Sequence, residues 1–114
     1  ANASSAAVAA AGGIPPLVAM LGDTDVEVQT WAVGVLVNIA DADTANQVAI
    51  AREGAIPRLV ALLSSSSVWV QQYAVLGLGA LAWRNRSNQA AVAQAGAIPA
   101  VVGLLGSSDD YVQE

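Results

Sequence analysis

The side chains that carry most enzymatic and metal chemistry are missing from this chain. Its 114 residues include no cysteine and no histidine, which removes Cys/His zinc sites, Ser-His-Asp and Cys-His nucleophile pairs and the usual proton shuttle at neutral pH. Only carboxylates remain for acid–base work, and no convergent pair of them stands outside positions expected to cap helices. We therefore expect no catalytic residues, no metal and no cofactor, and we predict that the protein is not an enzyme.

Two short segments look like functional motifs, and each has a structural interpretation that we prefer. Residues 23–27 look like the start of a calcium loop, but the required glycine is missing, and acidic residues at a helix N-terminus serve as caps and dipole partners. Residues 77–82 fit a dinucleotide fingerprint loosely, yet no strand is predicted before them. We expect the two glycines of this second segment to allow close contact between helices, at a cost in helix propensity.

The residue types do favour recognition of a partner by aromatic side chains. All five aromatic residues fall on one helical stripe, at spacings of i, i+4, i+7, i+11 and i+14 within each helix. We call these positions the aromatic stripe: Glu27, Trp31, Gly34, Asn38 and Asp41 in one helix, Trp69, Tyr73, Leu76, Ala80 and Trp83 in a second, and Tyr111, the equivalent of Trp69, in a third.

The aromatic stripe has two interpretations. Trp and Tyr rings provide rigid contact area with a polar group, which suits a recognition surface. Glu27 and Asp41 lie beside the rings, so charge pairing and cation–π contact favour a ligand that carries Lys or Arg. The alternative is that some of the rings are ordinary packing residues, since single exposed aromatics are common.

The stripe positions recur because the whole sequence repeats. The motifs Gly12-Gly13-Ile14-Pro15, Gly54-Ala55-Ile56-Pro57 and Gly96-Ala97-Ile98-Pro99 are spaced by 42 residues, and each is followed by a short aliphatic stretch. Nothing in the chain alternates with period two, so we expect no sheet. Each period is predicted to contain three helices.

The three predicted helices of a period differ in length. The first covers about 45–52 and again 87–94, and it ends at a glycine suited to a left-handed backbone. The second is short, 57–63, and begins at its proline. The third is the longest, 26–40 and 68–82, with caps from the turn before it. The predicted core face of the third helix is Val28, Ala32, Val35, Leu36 and Ile39, matched by Val70, Ala74, Gly77, Leu78 and Leu81.

The repeated Gly-Ala-Ile-Pro motif, the following Leu-Val-Ala-Leu-Leu, a Ser-rich turn, Val-Gln and an Ala-rich long helix together resemble armadillo repeats. The resemblance covers essentially the whole chain. It implies an all-α fold, a right-handed α-solenoid with three helices per 42-residue repeat. On this basis the chain divides into the end of a preceding repeat (1–10), two armadillo repeats (11–52 and 53–94) and a truncated repeat (95–114).

The resemblance also implies a binding surface. In the family, third helices line a concave groove for extended peptides, with a Trp and, four positions later, an Asn that holds the peptide backbone. The chain has Gly34 and Asn38 at these positions in one repeat, and Leu76 and Ala80 in the next. Asn38 alone matches the pattern, so the regular Trp/Asn ladder of the family is not expected here.

The sequence therefore predicts a protein–protein interaction scaffold. Its ligand is expected to be an extended basic peptide or partner segment, bound on the concave face of the third helices. The alternative is a structural fragment whose main activity is self-association, as a dimer or by helix swapping, through uncapped repeat ends, because terminal repeats need a polar outer face.

Partners of other classes are not expected. Nine acidic residues against four arginines, with no lysine and a net charge of -5, disfavour contact with nucleic acid phosphates. The longest apolar tract, 6–21, is interrupted by glycine and proline pairs, which excludes a membrane span. A chain without cysteine needs no oxidising compartment, and we expect an intracellular location, cytoplasmic or nuclear.

Overall fold

The structure, a computed structural model, describes residues 12–97. Six α-helices follow one another in this part of the chain: α1 (Ile14–Met20), α2 (Val26–Ala40), α3 (Thr44–Arg52), α4 (Ala55–Leu62), α5 (Val68–Ala82) and α6 (Arg86–Gln94). No strand occurs within these residues, so the predicted all-α fold is confirmed. None of the six helices is long and apolar enough to cross a membrane.

The helices form units that stack through their longest members. Helices α3, α4 and α5 make one three-helix unit, while α1 and α2 are the second and third helices of the unit before it. The long helices α2 and α5 pack side by side, and each is packed against the short helix that precedes it, α1 or α4. Both long helices have the bounds that the sequence predicted.

One left-handed glycine makes the corner between α3 and α4. Gly54 has a φ of 87°, which a residue without a Cβ adopts at no steric cost, and its equivalents Gly12 and Gly96 have φ values of 83° and 82°. The predicted left-handed glycine is therefore confirmed. Helix α4 begins at Ala55, however, and not at Pro57 as predicted. Proline is tolerated there because N–H groups in the first helical turn have no intrahelical acceptor.

Side chains of the preceding turns cap both long helices, as predicted. The carboxylate of Asp25 accepts a hydrogen bond from the backbone N–H of Glu27 at 2.8 Å, and the hydroxyl of Ser67 accepts one from the N–H of Val70 at 3.3 Å. Asp23 in turn accepts one from the N–H of Asp25 at 2.8 Å. The acidic segment is thus a helix cap, and the described residues contain no cluster of acidic side chains arranged to hold a metal ion.

A single apolar core runs through all six helices. The prediction for α5 is correct at every position, since Val70, Ala74, Gly77, Leu78 and Leu81 are all buried. The prediction for α2 is correct in part. Its buried residues are Ala32, Val33, Leu36, Ile39 and Ala40, whereas Val28 and Val35 are only half-buried.

Stacking between repeats explains why Val33 of α2 is buried although it was not predicted to be. A Cβ added to Gly77 of α5 would stand 3.2 Å from the Cγ1 atom of Val33. The neighbouring repeat therefore buries Val33 at a place where α5 has no side chain. Gly77 therefore allows the close helix contact that we expected. Gly79 does not, because a Cβ at this exposed residue would meet no atom within 4 Å.

Candidate functional site

The aromatic stripe lies on the solvent-accessible face of the paired helices α2 and α5. All ten of its described positions are at least partly exposed. Trp31, Trp69 and Trp83 are 57%, 68% and 50% exposed, so none of the three tryptophans is a core residue. Tyr73 is half-buried and packs against the core. Tyr111 lies outside the described residues.

One hollow of about 380 Å³ opens along the α2–α5 junction, and we call it the Trp31 hollow. It is lined by Thr30, Trp31, Gly34, Val35, Asn38 and Tyr73. A Cβ at Gly34 would stand 4.0 Å from the Cε1 atom of Tyr73, an ordinary van der Waals distance, so Gly34 faces the tyrosine ring of the other helix without a close contact. The result is a small open site with two aromatic rings and one amide side chain, that of Asn38.

A second hollow, of about 480 Å³, lies between the C-terminal parts of the same two helices, and we call it the Trp83 hollow. Its lining residues are Val37, Asp41, Ala42, Val75, Leu76, Gly79, Ala80 and Trp83. Most of them are apolar. One carboxylate, that of Asp41, and one indole, that of Trp83, supply its polar and aromatic groups.

The two hollows bring together most of the predicted site. Trp31, Gly34, Asn38 and Tyr73 line the first hollow, and Asp41, Leu76, Ala80 and Trp83 line the second. Glu27 and Trp69 line neither hollow and lie exposed in the first turns of α2 and α5. That these residues bind a partner stays a prediction.

A buried polar network fixes the end of α5 next to the Trp83 hollow, and the sequence analysis missed it. Gln47 of α3 is 1% exposed. Its amide nitrogen donates hydrogen bonds to the carbonyl oxygens of Ala80 and Trp83 at 3.0 and 3.1 Å. Its amide oxygen accepts one from Asn85 at 3.0 Å. The side chain of Gln47 therefore joins α3 to the C-terminus of α5, the long helix of the same three-helix unit.

A second amide completes this network. The side chain of Asn88 donates to the carbonyl oxygens of Leu81 and Gln47 at 2.9 and 3.1 Å, and its backbone N–H donates to Asn85 at 3.0 Å. Within residues 12–97, no buried side-chain nitrogen or oxygen lacks a partner. The only sequence signal for the network is the recurrence of Asn-Gln, at 46–47 and 88–89, with the repeat period.

Three-helix units that recur along the chain and stack through their long helices define a helical-repeat protein. A model of the armadillo/beta-catenin-like repeat matches residues 2–41 and 43–83, and the chain belongs to the armadillo repeat family. Armadillo repeats generally act as scaffolds that bind proteins or peptides, and they are not an enzyme family. The boundaries that we predicted for the individual repeats stay a prediction.

Solved structures resemble this chain closely. Two engineered proteins determined by the Northeast Structural Genomics Consortium share 37% identity with it over 96% of its length, with TM-scores of 0.86 and 0.85. A computationally designed armadillo repeat protein for modular peptide recognition shares 33% identity over 85% of the chain, with a TM-score of 0.79. The alignments cover 44%, 26% and 41% of those three proteins, respectively, so the chain spans less than half of each. Among curated proteins, none gives a significant match.

Proposed function

We propose that this chain is a peptide-binding module whose ligand is an extended segment with basic side chains, bound along the aromatic stripe. The observation that carries the proposal is the pair of open hollows at the α2–α5 junction, each with an exposed tryptophan in its lining. Small concave sites that combine aromatic rings with a few polar groups suit ligand recognition. The similarity to a designed armadillo protein for modular peptide recognition supports the same class of ligand.

The charges of the chain favour a basic ligand. The net charge of the protein is -5, and the stripe contributes Glu27 and Asp41. A Lys or Arg side chain within about 6 Å of a Trp or Tyr ring centroid gains cation–π attraction, and nearby carboxylates add charge pairing. The amide of Asn38 has both donors and acceptors, so it can hold the backbone of a bound segment.

Tryptophan fluorescence tests this proposal directly, because all three tryptophans of the chain belong to the stripe. The probe is a hexapeptide of alternating Arg and Ser with both termini blocked, and the matched control peptide has Glu in place of Arg. We expect the Arg peptide alone to change the emission. Its affinity is expected to fall as salt is added, because exposed charge pairs are screened.

Two substitutions locate the binding surface. Trp31→Ala is expected to weaken binding by about fivefold or more, as truncation of an interface tryptophan commonly costs over 1 kcal/mol. Val68→Ala is the control, because Val68 is 63% exposed and lies outside the stripe. An unchanged emission with the Arg peptide, or equal losses for both variants, would reject the stripe as the binding surface.

A second candidate function, self-association, is favoured by the number of exposed apolar side chains. These are Val26, Trp31, Val68, Trp69, Val75, Leu76 and Trp83. Large exposed apolar surface commonly marks an interaction site. Light scattering coupled to size exclusion, over a range of concentrations, separates the candidates. A monomer leaves the stripe available for peptides, and a stable dimer that loses peptide binding favours self-association.

An intracellular location, cytoplasmic or nuclear, forms part of the same proposal. It is supported by the absence of cysteine, since the chain needs no oxidising compartment. Imaging of a fluorescently tagged chain in its own cells checks this point, and a secreted product would contradict it.

A further inference from the structure

One tryptophan of the aromatic stripe, Trp83, is already in contact with a cationic side chain of its own chain. The guanidinium carbon of Arg84 lies 4.9 Å from the centroid of the Trp83 ring. This distance is within the range of a cation–π interaction. Trp83 lines the Trp83 hollow and is 50% exposed, so part of the aromatic surface proposed for a ligand is covered by Arg84.

The backbone beneath this pair is held rigidly. The N–H of Asn85 donates to the carbonyl oxygen of Ala82 at 3.2 Å and closes a tight turn, in which Arg84 has a φ of 49°. Gln47 donates to the carbonyl oxygen of Trp83 and accepts from the side chain of Asn85, so the turn is anchored at two points. The backbone position of Trp83 is therefore fixed, whereas the side chain of Arg84 is exposed and can rotate away.

The equivalent turn one repeat earlier shows that this contact is not required by the fold. There the N–H of Asp43 donates to the carbonyl oxygen of Ala40 at 3.1 Å, and Ala42 has a φ of 51°. The backbone geometry is the same, but the residues at the tip are Asp41 and Ala42. Neither an aromatic ring nor a cation is present in that turn.

We propose that Arg84 is a built-in competitor for the cation-binding face of Trp83, and that the Trp83 hollow takes an arginine side chain of the ligand. This inference rests on the function proposed above. An arginine of this chain shows that a guanidinium fits against the ring, and its planar group stacks on aromatic faces better than an ammonium does. A ligand arginine that uses the same face must displace Arg84, so Arg84 lowers the affinity of the site for it.

The test uses the full chain with Trp31→Phe and Trp69→Phe, which leaves Trp83 as the only tryptophan. Arg84→Gln removes the competing cation. Arg86→Gln, at another exposed arginine that lies on α6, removes the same charge without touching the contact. The blocked Arg-Ser hexapeptide is expected to bind the Arg84 variant about two- to fivefold more tightly than the parent. The gain for Arg86→Gln is expected to be smaller. A hexapeptide with Lys in place of Arg is expected to bind the Arg84 variant less tightly than the Arg hexapeptide does.

Three results would overturn the inference. Equal gains for the two glutamine variants would assign the effect to net charge. Weaker binding by the Arg84 variant would make Arg84 a ligand contact. Equal affinities of the Arg84 variant for the Lys and Arg peptides would remove the selectivity for arginine. If no peptide binds any variant, the proposed function fails separately. Quenching of Trp83 fluorescence by N-acetyl-arginine amide then still tests the competition by Arg84. We expect stronger quenching once Arg84 is replaced, and unchanged quenching would overturn the inference.

Discussion

The two long helices share a backbone and differ in the chemistry of their exposed faces. At three equivalent stripe positions, α2 and its C-terminal cap have Glu27, Asn38 and Asp41, where α5 and its C-terminal cap have Trp69, Ala80 and Trp83. The buried positions of both helices remain apolar. The packing of the repeat therefore depends on one face of the long helix, and recognition chemistry can change on the other face without altering the fold.

Across the junction of the two helices, a glycine on each helix faces a larger side chain on the other. Gly34 of α2 lies against the ring of Tyr73 of α5, and Gly77 of α5 lies against Val33 of α2. Gly77 makes room for Val33, since a Cβ at this position would stand 3.2 Å from it, whereas a Cβ at Gly34 would stand 4.0 Å from Tyr73, an ordinary contact distance. The difference at Gly77 allows the repeats to pack closely even though their sequences are not identical.

The largest difference in stability is expected between substitutions at two equivalent glutamines, Gln47 and Gln89. Gln47→Met is expected to lower the free energy of unfolding by about 2–3 kcal/mol, because Asn85 and two carbonyl oxygens lose their buried partner. Urea unfolding followed by circular dichroism measures this change.

Gln89→Met is the matched control for that measurement. Gln89 occupies the same position on α6, but it is exposed, and its side-chain amide donates a hydrogen bond to the carbonyl oxygen of Ala82 at 2.9 Å. Its loss is expected to cost less than about 1 kcal/mol. Equal losses for the two variants would show that the link from α3 to the end of α5 contributes no special stability.

An intermediate effect is expected from the two glycines of α5. Gly79→Ala is expected to stabilise the protein by about 1 kcal/mol, because alanine is a better helix former and its methyl group meets open space. Gly77→Ala gains the same propensity but crowds Leu59 and Val33 at 3.2 Å, which costs about 1–3 kcal/mol. The midpoint of thermal unfolding should therefore be higher for the Gly79 variant. The reverse order would contradict the close contact at Gly77.

The smallest expected effect compares the two left-handed turn residues. Ala42→Gly is expected to add about 0.5 kcal/mol of stability, because a left-handed backbone costs a non-glycine residue more than glycine loses in conformational entropy. Arg84→Gly relieves the same strain but loses the contact with Trp83, worth about 0.5 kcal/mol, and should be close to neutral. Chemical denaturation of both variants checks the difference. Equal gains would mean that the contact contributes no stability.

Much of the fold was predictable from the sequence because its determinants are local. The bounds of α2 and α5, their side-chain caps and the left-handed glycine after α3 follow from helix periodicity and from the chemistry of helix ends. The same periodicity predicted that the aromatic stripe would share one face. Membership of the armadillo repeat family was likewise predictable from the 42-residue repeat.

Other features depended on contacts between repeats, which no local pattern contains. Val33 is buried at a place where Gly77 lies opposite. Gln47 of α3 bonds to α5, two helices further along the chain, although its equivalent Gln89 of α6 bonds to the helix just before it. The division of the stripe into two hollows, and the position of Arg84 over Trp83, likewise required the placement of one helix against another. The sequence by itself determined the helices and their faces, because these depend on near neighbours in the chain. Tertiary structure alone decided which side chains meet, because residues about 40 positions apart come into contact only when the repeats stack.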